Sequence, residues 1–390
     1  MKIALIIERF DMHAGGAERS TAQIAKGLAV AGHEVTIVTW WHKQGHELPG
    51  VSIEACSKHR TLGPVNLLRF SKWARRRLAD GGFDTSLSVT TAVPAAVLQP
   101  RSGTFRETFE RNAAIRHTAL GRCAKRLLTA LSPKSRMQLR LERQVFADPS
   151  VKLIVAISNY VAEQLDRHYG ITGPRVQVIP NASDLVRPSD EQRSRYRKVV
   201  RRGFGIDDEM TLFLFAAHNP KLKGADTLLQ ATRLLSQRNV EFALLMVGHM
   251  SYSLQRRSAM LGVRDRIRFV GSTNRMAELF CAADVTVHPT YYDPSSKVVI
   301  ESLLSGTPAI TTVYNGASEW IESTDGAGEP VRGRILADPA DPVALADAMM
   351  QLLEPIERDR CRPERHNGLE QLTMAYHVGR LERLLAQAAG

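Results

Sequence analysis

Four cysteines, at 56, 123, 281 and 361, are all the chain carries, and no two of them form a Cys-x-x-Cys pair or a metal-ligand spacing. That spacing argues against a zinc site or a dithiol redox motif and for reduced thiols, with small core fillers as the default reading. Uninterrupted apolar runs are also short. None approaches the roughly 20 residues of a membrane-spanning helix. The opening run, Met1 to Phe10, is broken at Glu8 and Arg9, too soon for a secretory apolar region. The sequence therefore reads as a cytoplasmic protein. Several catalytic signatures are missing too. Gly15 and Gly16 are adjacent with no third glycine to complete a GxGxxG, which removes the best evidence for a dinucleotide oxidoreductase. No GxxxxGK[ST], GxSxG or HExxH occurs, which removes the simplest cases for a P-loop enzyme, a serine hydrolase and a zinc protease. There is no strict Asp-x-Asp pair to carry a metal-bound diphosphate, and no metal ligand set is assigned.

What is present begins with size. A chain of 390 residues exceeds what one core usually organises and favours two domains. Its 44% hydrophobic and 24% charged residues are those of a globular protein. The formal net charge of +12 is uneven. Between Arg101 and Arg143 stand eleven basic and three acidic residues, 11 − 3 = +8, or two-thirds of the excess. Inside that stretch Leu120, Cys123, Leu127, Leu128 and Leu131 recur at helical spacing, while Arg122, Lys125 and Arg126 lie off the stripe. This is the pattern of a basic amphipathic helix. It fits an anionic membrane surface, a phosphorylated acceptor or nucleic acid, or else a solvated helix whose stripe packs on its own domain. No RNP motif, paired zinc finger or helix-turn-helix accompanies it, so nucleic acid ranks last.

Along the chain, apolar strands alternate with helical periodicity, which predicts an α/β protein with parallel sheets. The first half offers strands at Lys2–Ile7, Val35–Thr39, Thr85–Val89, Leu153–Ser158 and Val176–Pro180, with a helix over 17–31. A charged run, Arg187–Arg202, reads as the entry to a second domain. The same grammar then restarts: strand Thr211–Ala216, loop His218–Gly224, helix Ala225–Ser236, strands Phe242–Val247 and Ile267–Val270, helix Arg275–Cys281 and strand Val285–His288. Boundaries at 1–184 and 185–368 follow. A last helical pattern runs from Leu369 to Ala388. Ligands in doubly wound sheets bind outside the carboxyl ends of strands. The loops at Gly15, Lys223, Gly248, Gly271 and Asp293 are therefore expected to ring one cleft.

The most informative stretch is Tyr291-Tyr292-Asp293-Pro294-Ser295-Ser296-Lys297-Val298-Val299-Ile300-Glu301, closed by Gly306 and Pro308. A strand precedes it, the Pro-Ser-Ser turn starts a helix of about ten residues, and Gly306 with Pro308 ends it. The first amides of that helix, at Ser296, Lys297 and Val298, make a seat for a phosphate. Glu301, about one and a half turns in, can take both hydroxyls of a ribose. Upstream, His218 and Lys223 put donor and cationic groups on a short loop, and Gly224 lets the lysine approach a diphosphate closely. Any one of these residues alone is more often structural or solvated; their spacing is the signal.

Asp293, seven residues, Glu301, then Ser305-Gly306-Thr307-Pro308 resembles the retaining GT-B glycosyltransferases of family 4. Further segments agree: Gly15-Gly16-Ala17-Glu18-Arg19, Ser158 before a helix, Ile179-Pro180-Asn181-Ala182-Ser183-Asp184, Lys223-Gly224 and Val270-Gly271. Within the family the chain looks most like the lipopolysaccharide core glucosyltransferase group. The resemblance implies two Rossmann-like doubly wound domains facing a cleft: an acceptor domain at 1–184, onto which the helix at 369–390 packs back, and a donor domain at 185–368. It implies catalytic roles for Asp293 on the donor sugar's hydroxyls, for Lys223 on the diphosphate from across the cleft, and for the Gly16 amide. Donor binding would draw on Gly15, Gly16, His218, Lys223, Gly248, Gly271, Ser296, Lys297, Val298 and Glu301. The implied partners are a nucleotide sugar, UDP-glucose first, a glycolipid or saccharide acceptor, and an anionic membrane surface met by 101–143 on its inner face. No cofactor or metal is implied. This sequence departs from the family at Asp293 (usually glutamate), His218 (often arginine), Ala182 (often glycine) and Gln99–Gly103, where many members carry a histidine or aspartate. A GT-B sugar-nucleotide epimerase, or a catalytically inactive membrane- or polyanion-binding protein of the same fold, is the alternative.

Overall fold

The computed structural model describes residues 1–12, 15–45, 47–61, 63–116, 118–321 and 331–390. In chain order, the first half runs β1 (Lys2–Phe10), α1 (Gly16–Val30), β2 (Glu34–His42), β3 (Val51–Ala55), α2 (Pro64–Ala79), β4 (Thr85–Ser88), β5 (Val97–Leu98), α3 (Phe105–Ala114), α4 (Ala119–Leu131), α5 (Pro133–Phe146), β6 (Leu153–Ala156), α6 (Asn159–Tyr169) and β7 (Val176–Val178). The second half runs α7 (Asp190–Phe204), β8 (Thr211–Ala216), α8 (Ala225–Gln237), β9 (Phe242–Val247), α9 (Tyr252–Met260), β10 (Ile267–Val270), α10 (Met276–Ala282), β11 (Val285–Val287), α11 (Lys297–Leu304), β12 (Ala309–Thr312), β13 (Gly333–Leu336), α12 (Pro342–Gln351), α13 (Pro355–Arg360) and α14 (Met374–Ala389).

The chain forms two compact units, one of Met1–Asp184 with Gln371–Gly390, the other of Leu185–Glu370. Unit 1 holds a seven-stranded sheet in the order β3-β2-β1-β4-β5-β6-β7, and unit 2 a six-stranded sheet in the order β10-β9-β8-β11-β12-β13. Strands pair in parallel throughout both sheets. Central strands of such sheets are covered on both faces, and so read as unbroken apolar runs. Ile3 to Ile7 in β1 and the whole of β8 and β9 are buried accordingly. In each sheet the order reverses beside the first strand. The switch points lie between β1 and β4 and between β8 and β11, where doubly wound sheets open a crevice.

Four differences from the sequence reading have local causes. The strands β3, β5, β12 and β13 were not legible. β3 is a half-exposed edge and β5 has only two residues, so neither shows a period. The basic segment holds two further helices, α3 and α5, beside the amphipathic one, α4, because Thr118 and Ser132 cap new starts within it, their hydroxyls accepting from Gly121 N and Ser135 N. The terminal helix begins at Met374, after a 3₁₀ turn at Leu369–Leu372, with the Thr373 hydroxyl accepting from Tyr376 N. It buries Val378, Leu381 and Leu385 in the core shared by β1 and α1. Lastly, Cys281 and Cys361 are buried and Cys56 is half-buried, but Cys123 is exposed and fills no core.

The charged run at 187–202 lies mostly in α7, started by a reciprocal Ser189–Gln192 capping box. Its Arg201, 1% exposed, bonds Asp284 at 2.5 Å and the carbonyls of Asp207 and Met210. The run thus contributes a buried ion pair to unit 2.

Candidate functional site

At the switch point of unit 2 two loops meet. The one after β8 carries His218 to Gly224; the one after β11 carries Pro289 to Ser296. They are stitched by Tyr291 N donating to Leu222 O at 2.9 Å and the Thr290 hydroxyl donating to the same carbonyl at 3.2 Å. Close approach of the loops requires glycine at 224. Its φ is +79°, and a Cβ there would stand 2.1 Å from Pro289 O.

This contact places Lys223 Nζ 2.6 Å from Asp293 Oδ2 and 2.9 Å from Tyr292 O. The lysine therefore sits in the same unit as Glu301, directly against Asp293, and not across a cleft from the donor helix. Burial pushes the Asp293 carboxyl up, but the Lys223 ammonium beside it outweighs this and holds the group well below the usual carboxylate range. His288 is 1% exposed, with Nε2 3.6 Å from Asp293 Oδ2, too long for a hydrogen bond. Burial pushes its imidazole down, and Lys223 adds to this, so the ring is neutral at pH 7.

Behind the pair stands α11, eight residues rather than about ten, with the Ser296 hydroxyl accepting from Val299 N at 3.5 Å. Asn315, fully buried after β12, positions its start: Oδ1 accepts from Ser296 N at 3.1 Å and Ala317 N at 3.0 Å, while Nδ2 donates to Thr311 Oγ1 at 2.9 Å. The Ser296 amide offered as a phosphate donor is thus engaged with Asn315. The first-turn positions Lys297 and Val298 lack intrahelical acceptors by geometry. Glu301, half-buried, lies about one turn in, closer to the helix start than the sequence suggested.

Beside this corner is a cavity of about 620 Å³, lined by His218, Asn219, Asp226, His249, Ser251 and Arg257. It sits at the ends of β8 and β9, next to Gly248. At Gly248 the demand comes from the fold: φ is +112°, and a Cβ would stand 2.2 Å from Ala217 O. A Cβ on Gly271 would meet nothing within 4 Å.

Gly15 and Gly16 belong to unit 1. Gly15 precedes α1 in extended conformation and Gly16 opens it. A Cβ on Gly16 meets nothing within 4 Å, so the fold does not itself require glycine there. At the neighbouring switch point Glu8 of β1 accepts from the Thr90 hydroxyl at 2.7 Å, and burial pushes its carboxyl up. Sequence reasoning did not single out Glu8, His288 or Asn315 as site residues. The signal available for Asn315 was the Asn315-Gly316 dipeptide, which marks a turn.

Residues 14–187 match the family described as Glycosyltransferase Family 4, and residues 209–355 match the one described as Glycosyl transferases group 1. The chain is 23% identical over 346 residues to lipopolysaccharide glucosyltransferase WaaG of Escherichia coli (strain K12), spanning 87% of this chain and 86% of that protein. It is 33% identical over 235 residues to the D-inositol 3-phosphate glycosyltransferase of Nocardia farcinica, spanning 57% of this chain and 48% of that one. In fold it is similar to the crystal structure of WaaG (TM-score 0.72, 21% identity, 99% and 98% of the two chains). It is similar also to Anabaena HepE, solved with UDP and glucose (TM-score 0.71, 17% identity, 99% of each chain).

Proposed function

We propose, since the chain belongs to the GT-B glycosyltransferases of family 4, that it moves a hexosyl unit from a UDP-sugar, UDP-glucose first, to a saccharide or glycolipid acceptor of the lipopolysaccharide-core kind. The observation that carries the reading is the Lys223–Asp293 pair at the switch point, beside the start of α11. A cation and a helix N-terminus converge there, which suits a diphosphate. Glu301 takes the ribose hydroxyls, and Asp293 the donor sugar's hydroxyls.

The transfer retains configuration. The bond between the anomeric carbon and the diphosphate oxygen breaks as the acceptor oxygen bonds the same face, and the acceptor proton passes to the leaving diphosphate. The chain's contribution is electrostatic, Lys223 and the α11 amides stabilising charge as it grows on the phosphate. Lys223 supplies the cation, so the reaction proceeds without a metal. Titration with UDP-, GDP- and ADP-sugars, following bound nucleotide and UDP release, tests this. Saturable UDP-glucose binding is expected; saturable binding of none overturns the reading.

Gly16 gives a second check. The site around it is open in the fold, and its amide is assigned to the donor. Gly16→Val is expected to leave the melting temperature within about 2 °C of the parent, a small surface effect. Turnover should fall at least about tenfold, because the side chain occupies the space in which the donor meets the amide. Equal turnover would remove Gly16 from the site.

The acceptor's membrane is met by α4. None of its residues is buried, and Leu120, Leu127, Leu128 and Leu131 are 82%, 62%, 66% and 60% exposed. The stripe does not pack on its own unit. With Arg122, Lys125 and Arg126 off the stripe, the helix suits the inner, anionic surface of a membrane. Among the described residues no helix is long and apolar enough to cross one.

A further inference from the structure

Several buried charges among the described residues are met by partners of opposite sign or by several donors, and Arg332 by the carbonyls of Trp320 and Asn367. Glu107 accepts from the Tyr160 hydroxyl at 2.9 Å and lies 2.7 Å from His168 Nε2. Glu142 accepts from Phe105 N at 2.7 Å and from the Tyr169 hydroxyl. Arg201 has Asp284.

Arg101 is different. Its side chain is almost wholly enclosed, the residue 8% exposed, and its partners are neutral: Nη1 donates to Gln99 Oε1 at 2.9 Å and Nη2 to Asn181 Oδ1 at 2.5 Å. Among the described residues no carboxylate forms an ion pair with it. Burial pushes the guanidinium down to about 10 with no opposing charge, whereas at Arg193 and Arg201 burial is opposed by Glu364 and Asp284. Enclosing a cation without its counter-ion is costly.

The neutral partners are themselves oriented. His377 of α14 puts Nδ1 2.6 Å from Pro180 O, so that nitrogen carries the proton. Its Nε2 then accepts from Gln99 Nε2 at 3.3 Å, which turns Gln99 Oε1 towards Arg101. Asn181 Oδ1 also accepts from Ala182 N at 3.0 Å. Gln99 and Arg101 follow β5 and Asn181 follows β7, all at the carboxyl ends of parallel strands, where such sheets take ligands. A guanidinium has five N–H donors, and two bonds are made, so donor capacity remains for a tetrahedral anion.

We propose that Arg101, held by Gln99 and Asn181, is a subsite for a phosphate group carried by the acceptor. This rests on the reading of unit 1 as the acceptor's half of a glycosyltransferase. The planar fork of the guanidinium matches phosphate oxygens two at a time, and the missing negative charge is the ligand's. Arg101 thereby becomes a specificity residue, admitting phosphorylated acceptors over neutral ones.

The test is a titration of the full chain, labelled with ¹⁵N-arginine, with inorganic phosphate. Saturating UDP is present to fill the diphosphate seat of unit 2, and acetate at equal concentration is the control. The Arg101 Nε–H signal, assigned by its loss in R101K, is expected to shift saturably with phosphate and not with acetate. The phosphate midpoint should rise at least about tenfold in R101K, which keeps the charge but loses the fork. R101Q serves as a second variant if R101K folds poorly, and the wild-type titration needs neither. An unmoved Arg101 signal up to 50-fold molar excess over about 1 mM protein, an equal shift with acetate, or an unchanged midpoint in the variants overturns the proposal. UDP binding is read separately by thermal shift. Its failure would count against the glycosyltransferase reading and not against Arg101, whose signal is then followed without UDP.

Discussion

Lys223→Met is expected to lower kcat/KM for the nucleotide sugar at least about a hundredfold, the loss of a cation that stabilises the departing diphosphate, and to destabilise the fold by about 2–3 kcal/mol. Both effects come from one geometry. Nζ lies 2.6 Å from Asp293 Oδ2, with the two side chains only 17% and 16% exposed. Removing the ammonium leaves a carboxylate that burial disfavours, met by the Ser295 N–H at 3.2 Å and by a neutral histidine 3.6 Å away.

The pH dependence separates the two effects. In the parent, Asp293 is held well below the usual carboxylate range. A depressed folded value contributes stability above the unfolded value near 3.9, lost only as pH falls through the folded one, so the pair persists across mildly acid conditions. In the variant, burial is the largest influence left and the folded value rises above the unfolded one. Stability from that group is then fully present below about 3.9 and lost as pH rises through the raised value. The deficit against the parent, measured by urea unfolding, should therefore shrink between pH 7 and pH 4.5 while activity stays low. A deficit independent of pH would show that Asp293 does not depend on Lys223 for its charge.

The legible part of this molecule was what local chemistry dictates. β8, β9 and β11 declared themselves as short apolar runs ended by polar loops, because central parallel strands are buried on both faces. Gly224 and Gly306 declared turns, each with positive φ. What stayed hidden was long-range. Nothing near Lys223 in the sequence says that it meets a carboxylate 70 residues away. Nothing around Gln99 says that a helix 278 residues further on orients its amide. Arg101 was counted as one of eleven basic residues in a charged stretch. Only the fold distinguishes this enclosed guanidinium from the arginines of α4, neither of them buried, since residue type sets charge while tertiary contacts set burial.

That same contrast sets the largest expected effect on membrane association. Exposed leucines on α4 make no core, so charging them should not touch the fold, whereas on a bilayer each gives up apolar contact. Leu127→Asp with Leu128→Asp removes on the order of 1 kcal/mol of insertion per residue even if each is only partly immersed, and adds two anions facing an anionic surface. Partitioning onto vesicles with about 30% phosphatidylserine is expected to weaken at least about thirtyfold, with the melting temperature and UDP affinity unchanged. Charge reversal at Arg122, Lys125 and Arg126 should weaken it at least about a hundredfold, at about 1 kcal/mol per cation. The two variants differ in their response to salt. Raising ionic strength from about 0.1 M to about 1 M shortens the screening length from about 10 Å to about 3 Å. The parent should lose most of its binding, and the charge-reversal variant little more than it has already lost. If both variants partition like the parent, the stripe on α4 does not face the lipid, and the membrane reading of the 101–143 segment fails while the donor site at Lys223 and Asp293 stands.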